Sequence, residues 1–191
     1  MITASALSSI EWLFDKSVRE NSCVGPEDSC EVISQPDAGS MTKHLNRKLV
    51  VLNLSSYIFR IVALIEFNSD VSMVEHMAKI ARSPDKKLED QTLLDAYAEF
   101  LNMICGTVNR RLCAEFGHVG MSTPFFLDSA CVSYLSILNP TAVKSFDFLI
   151  NGLARFKLTA CICVAKDKTL DFAIDQSDDP EAAASGELEF F

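Results

Sequence analysis

The sequence predicts an α+β fold, one largely antiparallel sheet with helices packed on one of its faces. Three observations carry this. Apolar residues recur at three- and four-residue steps over residues 4–20, 70–82 and 88–116, which is the helical period. Runs rich in Val, Leu and Ile over residues 48–67 and 125–165 read as strands. Between two of those runs stand Asn151 and Gly152, a pair that favours the tight turn of a hairpin.

Residues 4–20 form an amphipathic pattern. Ile10, Leu13, Phe14 and Val18 line one side, Glu11, Asp15 and Arg19 the other, and Trp12 reads as a core anchor. Residues 21–40 hold Gly25, Pro26, Pro36 and Gly39 and read as an inserted loop, with a short strand over 31–34. Runs 48–54 and 57–67 bracket Ser55 and Ser56 as a hairpin. The second run is apolar on both faces, so its sheet is expected to be covered on both. Asp70, or Ser69 before it, caps a helix that runs to about Arg82 and ends at Pro84. Charged residues 85–90 lead into a long helix over 88–116, closed by Gly117. Its apolar stripe is Leu94, Tyr97, Ala98, Leu101, Ile104, Cys105, Val108 and Leu112. Strands are expected over 125–132, 132–138, 145–150 and 155–165, with a turn at Asn139 and Pro140. Residues 1–166 make one domain, and the acidic residues 167–191 read as a flexible tail.

At 191 residues the chain has the length of a single domain, and 49% hydrophobic residues supply a sizeable core. The net charge of −9 argues against nucleic acid, because phosphate contacts need clustered Lys and Arg. The basic groups at Lys43 to Lys48 and at Arg110 and Arg111 read as solvated faces. Seven cysteines, an odd number without paired metal spacing, read as reduced thiols in the core, with a Cys23–Cys30 disulfide as the minor alternative. His44, His76 and His118 are too scattered for a zinc site. The longest apolar run, 58–67, is short for a bilayer and carries Arg60 and Glu66, and the N-terminus lacks a signal-peptide pattern. A cytoplasmic protein with no membrane insertion is the expectation.

The chemistry concentrates on the long helix. At 100° per residue Asp95, Glu99 and Asn102 fall within roughly 60° of one another, away from the apolar stripe. Gly106 continues that line in mid-helix, where it costs about 0.5–1 kcal/mol relative to Ala. A broken local rule beside a polar pair points to something approaching the backbone closely. By spacing alone the signal is weak, and a solvated helix face is the better explanation of the three polar residues.

The stretch Asp95-x-x-x-Glu99-x-x-Asn102, followed by Met103, Ile104, Cys105 and Gly106, resembles the chemotaxis phosphatase family of CheC, CheX and the FliY switch protein. That family carries an acidic or Ser residue, then Glu, then Asn, and a later Pro; here 21 residues separate Asn102 from Pro124. Ser122-Thr123-Pro124 opening a strand fits the same pattern, and the helix from Asp70 takes the place of the family's first central helix. The likeness spans residues 40–165. A single Glu/Asn motif places it nearer CheX than CheC, which usually has two copies. The first hairpin departs from the family's glycine-rich form, and residues 21–40 and the acidic tail are additions.

The resemblance implies a single CheX-like domain with two central helices on one sheet face plus the N-terminal helix. It also implies a phosphatase acting on the aspartyl phosphate of a CheY-like response-regulator receiver domain. Asn102 would orient the attacking water and Glu99 would pair with the receiver's Lys, with Asp95, Met103 and Gly106 supporting or touching the partner. Mg²⁺ is expected in the phosphorylated partner, and no cofactor in this chain. A homodimer paired through sheet edges follows from the same likeness, with the alternating strand 155–165 as the candidate edge. The alternative is a non-catalytic receiver-binding or signalling-assembly module.

Overall fold

The computed structural model describes residues 1–34, 48–67, 70–82 and 90–175. Its elements are helix α1 (Ala4–Ser22), strands β1 (Cys30–Ser34), β2 (Lys48–Ser55) and β3 (Phe59–Phe67), and helices α2 (Val71–Ile80) and α3 (Asp90–Phe116). Strands β4 (Gly120–Met121) and β5 (Phe125–Asp128) follow, then a 3₁₀ helix (Ser129–Leu138), β6 (Ala142–Ile150) and β7 (Ala154–Val164). The strands form one seven-stranded antiparallel sheet in the order β1-β6-β7-β3-β2, with β4 and β5 both pairing β2. This is the α+β architecture the sequence predicts.

Strand alternation sorts side chains to two faces. Val50, Leu52 and Leu54 of β2, Ile61, Ala63 and Ile65 of β3, and Phe156, Leu158, Ala160 and Ile162 of β7 join the main core under the helices. Leu49, Val51, Val62, Leu64 and Cys161 point the other way and form a smaller cluster with Val132, Leu135 and Leu138 of the 3₁₀ helix. The sheet is thus covered on both faces, as the apolar second run requires.

Local chemistry sets the boundaries. Asp70 caps α2, its carboxylate accepting the Met73 N–H at 2.8 Å. Gly117 closes α3 at φ +73°, its N–H bonded to the Cys113 carbonyl at 2.8 Å. Asn151 and Gly152 both take positive φ, and Leu153 N–H closes their turn on the Ile150 carbonyl. Ser69, Pro84, the charged stretch 85–89 and the start of the long helix at 88 and 89 lie outside the described residues, as do His44 and most of the 43–48 basic group.

Three expectations are corrected, and one minor alternative falls away. The strand from 125 stops at Asp128, and 129–138 is a 3₁₀ helix. The Asp128 carboxylate accepts the Ala130 N–H, and Val132, Leu135 and Leu138 then recur every three residues, the 3₁₀ period, toward the sheet. Strand β7 lies between β3 and β6, paired on both sides, so it is no edge. All seven cysteines are free thiols, as the main reading has it, so the minor Cys23–Cys30 disulfide alternative falls away. Residues 167–175, read from composition as tail, pack on the domain. Leu170 is fully buried and bridges Ile2, and the Ile174 N–H bonds the Ser9 hydroxyl. Residues 176–191 lie outside the described residues.

Candidate functional site

Helix α3 is fixed by its buried side. Leu93, Tyr97, Phe100, Leu101, Ile104, Cys105, Val108 and Leu112 are buried, whereas Leu94 and Ala98 sit at the flank. Tyr97 stacks on Phe67 of β3, and Phe100 meets Phe156 of β7 edge-on. Burial pushes the Tyr97 hydroxyl and the Cys105 thiol well above their ordinary pKa, so neither ionises at neutral pH. Two aromatic contacts to separate central strands hold the helix against rotation, so the opposite face has a fixed orientation.

That opposite face carries the polar line. Asp95 and Glu99 are exposed, and Asn102, Met103 and Gly106 are half-buried. Asn102 Nδ2 donates to Glu99 Oε2 at 3.4 Å. This is long for such a bond, so the two side chains converge without locking and can exchange the contact for another partner. Gln91 Nε2 donates to Asp95 Oδ1 at 2.9 Å, one turn before the pair. Around Gly106 an added Cβ would meet nothing within 4 Å. No contact within the described residues therefore requires the glycine or offsets its helical cost.

The structure brings Asp95, Glu99, Asn102, Met103 and Gly106 onto three successive turns, as their spacing predicts. Pro124 lies elsewhere, in the link between the edge strands β4 and β5. Leu54 faces Met121 whereas Val51 faces Phe125, so the link contains one extra residue and forms a bulge, where a missing N–H is tolerated. Ser122 is structural there: its hydroxyl accepts the Asn53 N–H at 2.9 Å. Two residues near the line carried no expectation. Gln91 orients Asp95, and its i, i+4 spacing was the available signal. Asn109, two turns beyond Asn102, has a buried Oδ1 without a hydrogen-bond partner among the described residues; spacing cannot predict that.

Other candidates take ordinary roles. His76 is buried, its Nε2 without a hydrogen-bond partner among the described residues, and His118 is exposed. Among the described residues no three His, Cys, Asp or Glu are grouped to hold a metal ion, and no helix is long and apolar enough to cross a membrane. Trp12 is half-buried with Lys16 Nζ 5.0 Å over its ring, and Arg110 donates to Thr107. An exposed helix face with a carboxylate and an amide offers a docking surface for a macromolecule rather than an enclosed pocket.

No protein-family model matches the chain, and no curated protein does. Solved structures match. The chemotaxis protein CheX from Vibrio vulnificus superposes with a TM-score of 0.58 at 13% identity, covering 80% of this chain and 98% of that one. CheX from Desulfovibrio desulfuricans gives 0.56 at 14% identity, covering 82% and 99%. A chain of the CheX–CheY–BeF3–Mg²⁺ complex from Borrelia burgdorferi gives 0.56 at 13%, covering 84% and 99%. The chain therefore has the CheX-like α+β fold: an antiparallel sheet, two central helices and an N-terminal helix on one face.

Proposed function

We propose that this chain is a cytoplasmic phosphatase that accelerates hydrolysis of the aspartyl phosphate of a response-regulator receiver domain. The observation that carries the reading is the Glu99–Asn102 pair, converging on the exposed face of α3 within a CheX-like fold. The Borrelia burgdorferi neighbour comes from a complex with CheY, which supports a receiver as the partner class.

The chemistry follows from the residue types. Receivers are expected to bring their own Mg²⁺ and Lys to the phosphoryl group, so this chain supplies position rather than a nucleophile. Asn102 holds a water in line with the leaving carboxylate, since an amide donates and accepts without taking the proton. Glu99 releases its long bond to Asn102 and pairs with the receiver's Lys, which sets the register of the two proteins. Asp95, oriented by Gln91, and Met103 line the contact, and Gly106 lets the partner's backbone approach. The gain is mainly that of positioning. Should two copies pair through sheet edges, β1 and the β4–β5 side are the edges left for it.

The test is phosphate release from receivers charged with a small phosphodonor, with and without this protein. Wild type shortens the phosphoryl lifetime of its cognate receiver. Asn102→Ala removes the acceleration but keeps receiver binding, and Glu99→Ala raises the concentration needed for half-maximal effect. Binding by wild type with an unchanged phosphoryl lifetime refutes catalysis and leaves a receiver-docking module. Light scattering reports the oligomeric state.

A further inference from the structure

The sheet face opposite α3 holds a slot of about 250 Å³. Its floor is Val51, Val62 and Leu64 of β2 and β3, with Phe125 and Leu127 of β5 along one side. Its roof is Leu135 and Leu138 of the 3₁₀ helix, beside the exposed ring of Tyr134. Among the described residues one cation lines it, Arg60 at the start of β3.

Arg60 stands out by its surroundings. Its cross-strand neighbours are Ser55 on β2 and Cys163 on β7, neither acidic. Among the described residues its guanidinium makes no hydrogen bond or ion pair. It is exposed at the rim of an apolar slot, in a chain of net charge −9 where acidic partners are plentiful. Farther along the same face the pattern differs: Lys157 faces Glu66 and Asp147 on the strands either side. Among the described residues the sheet thus pairs its charges at one end of this face and leaves a cation without an acidic neighbour beside the slot at the other.

We infer that this slot binds a medium-chain carboxylate, its unbranched tail between the sheet and the 3₁₀ helix and its carboxylate on Arg60. The slot, about 250 Å³ and lined mainly by apolar side chains, has room for a short unbranched tail, for which octanoate is the probe. Head-group choice follows from charge complementarity, since a planar guanidinium matches a carboxylate in two-point geometry. The roof supplies access: the 3₁₀ helix leaves Tyr134 and Ile137 exposed and buries only Val132, which is still 8% exposed. It can therefore shift to admit a tail with little loss of packing.

The full chain is titrated calorimetrically with octanoate, 1-octanol and acetate. Octanoate is expected to saturate one site and to bind about tenfold tighter than 1-octanol, the increment of a charge-assisted bond, while acetate does not saturate. Arg60→Gln, a change at an exposed position, is expected to abolish the octanoate preference and leave 1-octanol within about twofold. Leu135→Trp, which fills the slot, is expected to block both ligands, with circular dichroism reporting the fold. The inference is overturned if octanoate fails to saturate, binds no tighter than 1-octanol, or is indifferent to Arg60→Gln. It is equally overturned if light scattering finds a dimer that Tyr134→Asp dissociates and octanoate binds neither form, because a second copy then covers the slot.

Discussion

Replacing Gly106 with Ala separates what the fold wants from what the helix face is for. In α3 an added Cβ meets nothing within 4 Å, so no clash opposes the change. The backbone there is helical, so Ala needs no unusual φ. The expected gain is the full helix-propensity difference, about 0.5–1 kcal/mol. For a chain of this size each kcal/mol moves Tm by about 2–4 °C, so calorimetry should find Tm raised by about 1–4 °C. If Gly106 serves partner approach as proposed, receiver dephosphorylation should move the other way, because the new methyl would stand in that partner's path. A loss confined to the half-maximal concentration, with the maximal rate kept, would mark an effect on docking. A lower Tm would refute the account of the space around Gly106. A higher Tm with unchanged dephosphorylation would refute the idea that the glycine serves partner approach.

Other perturbations probe the scaffold and its pH response. Phe100→Ala removes a fully buried ring that meets Phe156, and should cost about 3–5 kcal/mol, lowering Tm by roughly 10 °C in a thermal melt. Asp70→Ala deletes the α2 cap and should cost about 1 kcal/mol in a urea titration, against a near-neutral Asp70→Asn. Burial lowers the His76 pKa, with Asp28 opposing the shift, so the neutral ring is favoured in the folded state. Its contribution is complete above the ordinary value near 6.5 and lost as pH falls below it, so His76→Met should flatten the stability curve on that limb. Bonds from Asn151 Nδ2 and from the Gly25 and Val24 N–H groups hold Asp28 down to about 2. That contribution is present above the ordinary 3.8 and fades as pH falls toward 2, so Asn151→Ala should shift acid unfolding to higher pH.

The sequence by itself determined the helices, the two hairpins and the polar line on α3, because periodicity, caps and turn chemistry act over a few residues. Asp70, Gly117 and the Asn151–Gly152 pair each mark a boundary that the backbone obeys. The likeness of residues 95–106 to the CheX motif identified the fold that the superposed structures share. Tertiary structure decided the rest. The run 129–138 reads equally as strand or helix by hydrophobicity, and only the apolar back of the sheet, waiting every three residues for Val132, Leu135 and Leu138, selects 3₁₀. The alternation in β7 is the same for an edge and a centre, and pairing with both β3 and β6 settles it. Leu170 looks like tail by composition and is buried because Ile2 and α1 lie beside it. The non-acidic surroundings of Arg60 among the described residues also belong to the fold, since its neighbours Ser55 and Cys163 are set by strand register between segments far apart in the chain. Local chemistry is written in adjacent residues, whereas burial and register depend on contacts that the chain makes only after it folds.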